Sequence, residues 1–184
     1  MGSALIKDNI KGYTGAKIKI KKRIPLAAGL AGGSSDAAAV LLGLNHLYEF
    51  GFTVSYLMQL ALKIGADVPF CLLGGTAWGK GIGERLSVLP PVPRMWLVLA
   101  KPSLEVSTAE VYHEYRETDE KKYSREFVSA LEQENYEGLL NNMGNALEAA
   151  TLRLYPDLIR LKEALLKACL LYTSPSPRDR TRSR

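Results

Sequence analysis

Residues 25–36 read Pro-Leu-Ala-Ala-Gly-Leu-Ala-Gly-Gly-Ser-Ser-Asp. Just upstream, Lys17-Ile18-Lys19-Ile20 alternates polar and apolar, the period of a half-buried strand, and Pro25 ends it. Downstream, Ala37, Val40, Leu41, Leu44 and Leu47 recur at spacings of three and four, which predicts an amphipathic helix starting near Asp36, with Ser35 and Asp36 as its caps. Gly29, Gly32 and Gly33 let the backbone in between approach a ligand closely. The start of a helix presents unpaired N–H groups and a partial positive charge. A glycine-rich turn feeding a helix is therefore suited to hold phosphate. The candidate phosphate-binding residues are Pro25, Ala28, Gly29, Leu30, Ala31, Gly32, Gly33, Ser34 and Ser35, and the Ser34 hydroxyl is also a candidate magnesium ligand. No lysine follows Gly33, so the P-loop pattern is not met, and neither is the dinucleotide pattern GxGxxG. The plainer alternative is a turn that packs a helix on a sheet.

The chain around this stretch has 184 residues, 47% hydrophobic and 23% charged. Those proportions fit a globular protein of one domain or two small ones and exclude collagen, coiled coil and wholesale disorder. No segment approaches the roughly 18 apolar residues of a membrane span, and the start does not have the pattern of a secretory signal. Cys71 and Cys169 lie far apart in apolar surroundings, which argues against a disulfide framework or metal knuckle and fits a reducing, cytoplasmic setting. The formal net charge is +5. Arg178, Arg180, Arg182 and Arg184 crowd the last fifteen residues against a lone Asp179, so the body is nearly neutral and gives no case for a polyanionic partner.

Working outward, residues 3–11 read as the end of a helix. A helix is expected over 54–64, capped by Thr53 or Ser55, and short strands at about 75–80 and 95–100. A turn at Gly81-Ile82-Gly83 and the Pro90–Pro93 loop separate those strands. Helices follow at roughly 107–116, 122–134, 136–153 and 156–168, with Pro156 in the first turn of the last. Strands early and helices late give an α+β class rather than repeating βαβ units. After Tyr172 the Ser/Pro/Arg segment has no core-forming residue. It reads as a disordered basic tail, or as adapter-derived sequence joined to a natural chain cut near Ala168.

Pro25 to Ala38 resembles the phosphate-binding motif of the GHMP kinases. The form Gly-Leu-Ala-Gly-Gly-Ser-Ser-Asp-Ala-Ala is most similar to the diphosphocytidyl-methylerythritol kinase branch, which serves non-mevalonate isoprenoid synthesis. The resemblance continues through Gly65-Ala66-Asp67-Val68-Pro69-Phe70, then Gly79 to Glu84, then Val106 to Tyr112, then Asn142-Met143-Gly144-Asn145, and ends about Ala168. It implies a GHMP-kinase-like two-layer α+β fold: N-terminal strands and an ATP-loop helix, followed by a largely helical C-terminal part. Residues 1–100 would form the ATP-binding domain, incomplete at its N-terminus. Residues 101–168 would form an incomplete substrate-side domain, and 169–184 the tail.

The implied activity is ATP-dependent phosphorylation of a hydroxyl of 4-diphosphocytidyl-2-C-methyl-D-erythritol, with ATP and Mg2+ as cofactors. Its partners would be small molecules rather than nucleic acid or membrane. Phosphoryl transfer asks a protein mainly for positioning and charge neutralisation. The resemblance implies that Asp67 lies beside the substrate hydroxyl as base or electrostatic activator; on its residues alone, Asp67 ahead of Val68-Pro69 reads as a helix cap. The resemblance also implies that Tyr112 stacks on the cytosine ring with Thr108 nearby. These two are four apart and share a helix face, although a tyrosine there equally suits the core. Lys22 is implied near the adenine, with a solvated strand lysine as the alternative. His46 and His113 lack a partner pattern. Gly79 to Glu84 reads equally as a substrate-side segment or a hairpin turn. The lysine-bearing N-terminal strand and C-terminal Gly/Ser motif of the family have no counterpart in the sequence, so residues 3–168 are expected to match the middle of a longer kinase. Rival readings are a homoserine or mevalonate-type kinase, and a non-catalytic RNA-binding module using the basic tail.

Overall fold

The computed structural model describes residues 15–25, 28–116 and 123–168. Their elements are α1 (Gly32–Leu47), α2 (Val54–Leu62), α3 (Val68–Leu73), β1 (Thr76–Lys80), β2 (Arg85–Leu89), α4 (Thr108–Glu114), α5 (Tyr123–Glu132), α6 (Tyr136–Asn141), α7 (Glu148–Leu154) and α8 (Asp157–Lys167). Helices with one small hairpin make an α+β chain. None of the described helices is long and apolar enough to cross a membrane. The expected helix end within residues 3–11, the tail 169–184, and Leu26 and Ala27 of the glycine-rich stretch lie outside the described residues.

The described residues form two units. Residues 15–25 and 31–88 make the first; 28–30 and 89–168 make the second. The first is built on α1, α2 and α3. Ala38, Leu41 and Leu44 of α1 meet Leu57 and Ala61 of α2 and Val68 and Leu72 of α3 in one buried cluster. The face that α1 buries starts at Ala38 and repeats every three residues, while Leu47 is 68% exposed. The connection from α1 to α2 is held like a piece of sheet. Asn45 Oδ1 accepts from the Phe52 N–H at 3.0 Å, and its Nδ2 donates to the Phe52 carbonyl at 3.1 Å. Tyr48, Phe50, Phe52 and Tyr56 stack successively beside it, with centroids 4.7–5.4 Å apart. Thr53 caps α2 by accepting from the Tyr56 N–H at 3.3 Å.

β1 and β2 form a two-stranded sheet around the turn 81–84. Gly81 has φ 74° there, and a Cβ on it would stand 2.5 Å from Glu84 Oε1. Glu84 in turn accepts from the Ile82 N–H at 2.7 Å. That turn requires glycine. Residues 79–84 are therefore a hairpin, and β2 is a strand the sequence pattern did not disclose.

Two expected strands are absent among the described residues. Residues 17–20 and 95–100 have neither a ladder partner nor strand assignment. Ile18 and Ile20 are 44% and 54% exposed, and Trp96 is 100% exposed. Alternation and β-propensity prescribe a strand only where another strand supplies the other half of the ladder, and no described residue does so.

In the second unit, Val111, Leu147 and Ala150 form one cluster between α4 and α7, and Ala130, Leu131 and Leu139 another between α5 and α6. The helix expected over 136–153 is two helices. Asn142 Nδ2 donates to the Gly138 carbonyl at 2.7 Å, closing α6, and buried Asn145 accepts from the Leu147 N–H at 3.0 Å, turning the chain into α7. Asparagine side chains that bond the nearby backbone compete with helix continuation.

Candidate functional site

The first turn of α1 is the centre of the candidate site. The helix begins four residues earlier than the sequence pattern predicts: Gly32, Gly33, Ser34 and Ser35 are helical rather than loop. Neither Ser35 nor Asp36 caps it. The N-cap is Ala31, whose methyl side chain offers no acceptor, and among the described residues no side chain caps the N–H groups of the first turn. Ala31 also adopts the left-handed conformation, with φ 49° and ψ 25°, which a residue with a Cβ holds only at a cost of about 1–2 kcal/mol. Small, strained and uncapped is a poor design for a helix end that only has to pack. It suits one that keeps its amides for a ligand.

The two serines differ. Ser35 Oγ donates back to the Gly32 carbonyl at 2.9 Å, so that hydroxyl serves the helix. The Ser34 hydroxyl has no hydrogen bond among the described residues. Lys22 brings a positive charge to the same turn. Its Nζ lies 2.5 Å from Asp36 Oδ2 and would stand 3.3 Å from a Cβ placed on Gly32. Ile24 lines the other side, its Cγ2 3.0 Å from that same Cβ position. Gly32 is glycine because these neighbours leave little room, whereas around Gly33 nothing stands within 4 Å of a Cβ. Of the remaining candidates, Pro25 is exposed, Ala28 and Gly29 are half-buried, and Leu30 is exposed. Residues 28–30 belong to the second unit.

Asp67 is half-buried at the N-cap position of α3, and Pro69 sits in the first turn of that helix. Its side chain makes no capping hydrogen bond, so capping does not account for an aspartate here. Its charge is felt one turn on. Burial, and then the Asp67 carboxylate, push the Cys71 thiol above its ordinary pKa. Val68 and Leu72 of α3 pack into the cluster that holds α1, so α1 and α3 are fixed to one core. Among the described residues there is no group of three His, Cys, Asp or Glu able to hold a metal.

Thr108 and Tyr112 lie in the second unit. Thr108 opens α4 and is half-buried. Tyr112, one turn later, is half-buried against the Val111–Leu147–Ala150 cluster. Ser107 caps α4, accepting from the Glu110 N–H at 3.4 Å. His46 and His113 are exposed in the last turns of α1 and α4. Two features escaped the sequence reading. One is the Lys22–Asp36 pair, fourteen residues apart. The other is a set of bonds from Arg153 and Tyr155 to both ends of α4. Neither has a local sequence signal, because the partners meet only once the helices pack.

The sequence model of the GHMP kinases N terminal domain matches residues 3–75. Three relatives carry the name 4-diphosphocytidyl-2-C-methyl-D-erythritol kinase. That of Moorella thermoacetica is 48% identical over 160 residues, covering 84% of this chain and 56% of the relative. That of Geobacillus sp. strain WCH70 is 46% identical over 163 residues, covering 88% and 56%. That of Enterococcus faecalis is 44% identical over 165 residues, covering 89% and 58%. The chain thus spans little more than half the length of the curated relatives it matches.

Proposed function

The chain belongs to the GHMP kinase family, and on that premise we propose that it carries the phosphate cradle and hydroxyl-activating carboxylate of an ATP-dependent kinase for 4-diphosphocytidyl-2-C-methyl-D-erythritol. One observation carries the proposal: the first turn of α1 is uncapped, begins on a strained Ala31, and has the Lys22 ammonium beside it. The amides of Gly32, Gly33 and Ser34 hold the nucleotide phosphates; Pro25, Ala28, Gly29, Leu30, Ala31 and Ser35 are the further phosphate-side candidates of the same stretch of sequence. Lys22, paired with Asp36, stands at the edge of the turn, and neutralising phosphate charge, the main demand of phosphoryl transfer, falls to the α1 amides. Asp67 draws on the proton of the attacking hydroxyl. Thr108 and Tyr112 contact the cytidine end. Residues 1–100 make up the nucleotide side and 101–168 the substrate side of a two-layer GHMP arrangement, in a cytoplasmic setting.

Magnesium fits this donor set in one way only. Mg2+ keeps most of its shell as water and phosphate oxygen and takes one or two protein ligands. The Ser34 hydroxyl would supply one. When bound with ATP, the ion would neutralise phosphate charge. Asp67 and the α1 amides act on the hydroxyl and the phosphates directly.

The test is a chimaera in which residues 3–168 replace the matching segment of the Moorella thermoacetica relative. ADP formation should depend on 4-diphosphocytidyl-2-C-methyl-D-erythritol and not on homoserine or mevalonate. Asp67→Asn should lower turnover by roughly 10²–10⁴ while leaving the ATP dissociation constant within about threefold. Turnover on homoserine or mevalonate instead would move the chain to another branch of the family. Normal turnover of the Asp67→Asn chimaera would remove Asp67 from the mechanism.

A further inference from the structure

α4 is a helix of seven residues, too short to hold its shape alone. Its cluster is small, three buried side chains with Val106, Tyr112, Tyr115 and Tyr155 around them. Yet both of its ends are tied to one short stretch at the end of α7. At the N-terminal end, the Tyr155 hydroxyl accepts from the Ser107 N–H at 3.2 Å and donates to Glu110 Oε2 at 2.9 Å. Ser107 is the cap of α4 and Glu110 lies in its first turn. At the C-terminal end, Arg153 Nε donates to Glu114 Oε1 at 2.8 Å, and its Nη2 donates to the Glu114 carbonyl at 3.0 Å. One guanidinium therefore binds the last residue of α4 through side chain and backbone together, a two-point grip that lysine cannot reproduce.

We propose that Tyr155 and Arg153 are positioning residues which clamp α4 at its two ends and so fix Thr108 and Tyr112 for the cytidine end of the substrate. The proposal rests on the reading of those two residues as substrate contacts. Neither Tyr155 nor Arg153 is assigned contact with the ligand. Tyr155 holds the turn that carries Thr108, and Arg153 holds the turn that follows Tyr112. A helix pinned at both ends has lost its freedom to shift or fray before the ligand arrives, which lowers the ordering cost of binding. The bonds span 39 to 48 residues of sequence, so they form only when α4 and α7 pack. Tyr155 also packs its ring against the cluster, and a phenylalanine would keep that packing while losing both hydrogen bonds.

The experiment uses the chain with three substitutions: Tyr155→Phe, Arg153→Lys and Arg153→Met. Cytidine 5′-diphosphate and ATP are titrated separately by calorimetry, and amide hydrogen exchange is followed over residues 107–114. In Tyr155→Phe, exchange at Ser107 should rise about tenfold or more. The cytidine diphosphate dissociation constant should rise roughly ten- to a hundredfold, as expected for a misplaced contact, with ATP affinity unchanged. Arg153→Lys should fall between wild type and Arg153→Met. A purely structural role would weaken both nucleotides together or neither, and that result overturns the proposal. So does wild-type cytidine diphosphate affinity in Tyr155→Phe despite faster exchange at Ser107. If the unsubstituted chain binds ATP but not cytidine diphosphate, the assignment of Thr108 and Tyr112 fails first and the clamp loses its ligand role with it. The unsubstituted control separates that outcome from failure of the clamp alone.

Discussion

Two glycines of α1 make a matched pair. Gly33 lies in the first turn and Gly43 in the middle of the helix. Neither has a positive φ, and a Cβ on either meets nothing within 4 Å. Alanine should therefore fit at both without strain. It should also stabilise both, because glycine in a helix interior costs about 0.8–1.0 kcal/mol relative to alanine. The gain should approach that figure at Gly43 and be smaller at Gly33, where the helix is only beginning. A gain of 1 kcal/mol corresponds to a melting rise of roughly 2–8 °C across domains of 60 to 250 residues. On packing and propensity alone the variants are then alike. They part on nucleotide binding. The open space at Gly33 is the space the phosphates would fill, and a methyl group there keeps them from the amides. Gly33→Ala should melt at or above the wild-type temperature and bind ATP at least about tenfold more weakly, the loss of one charge-assisted hydrogen bond. Gly43→Ala should melt higher with ATP affinity unchanged. Calorimetric titration of ATP beside a thermal melt measures both. If Gly33→Ala keeps wild-type ATP affinity, the phosphates do not approach this turn and the cradle is wrong, however well the helix folds.

Leu41 is 0% exposed at the centre of the first cluster, so Leu41→Ala should cost about 3–5 kcal/mol and be visible in urea unfolding. Cys71 should react slowly with iodoacetamide at pH 8, because burial and Asp67 hold its thiol protonated; in a Cys169→Ser background, Asp67→Asn should speed that alkylation by lowering the thiol pKa. Arg153 and Arg116 hold the Glu114 carboxylate below its ordinary pKa. A depressed carboxylate lends stability in full above its unfolded pKa, roughly 4.3, and loses it as pH falls through the lower folded value. Exchange protection of α4 should therefore be constant from neutral pH down to about 5 and fall in stronger acid, and Glu114→Gln should remove that acid step.

The parts of the fold that read well from sequence are those fixed by local rules. Thr53 caps α2 as expected, and the spacing of Ala37 to Leu47 gives a helix, though the buried face turns out to centre on Ala38, Leu41 and Leu44. The misread parts depend on partners distant in sequence. The alternation at 17–20 and the apolar run at 95–100 promise strands, but a strand is a property of a pair. Asn142 and Asn145 split an amphipathic pattern that otherwise runs unbroken. The sequence pattern starts α1 late because serine and aspartate are better caps than alanine in general. Here Ala31 takes the cap position and leaves the amides open, a local rule broken at the place where phosphate binding is proposed. The proposal of a phosphate cradle starts from the spacing of the glycine-rich stretch, and that of Asp67 from the resemblance alone. The clamp on α4 is not legible in the sequence, since nothing near Tyr155 points to Ser107.

The central claim is that the first-turn amides of α1 receive the nucleotide phosphates, and amide chemical shifts read those groups one by one. Titration of 15N-labelled chain with magnesium-ATP should move Gly32, Gly33 and Ser34 most, with the N–H signals shifting downfield as they donate to phosphate, and should leave Gly43 in place. Shifts absent from those three amides at saturating ATP, or centred on another element, would contradict the account.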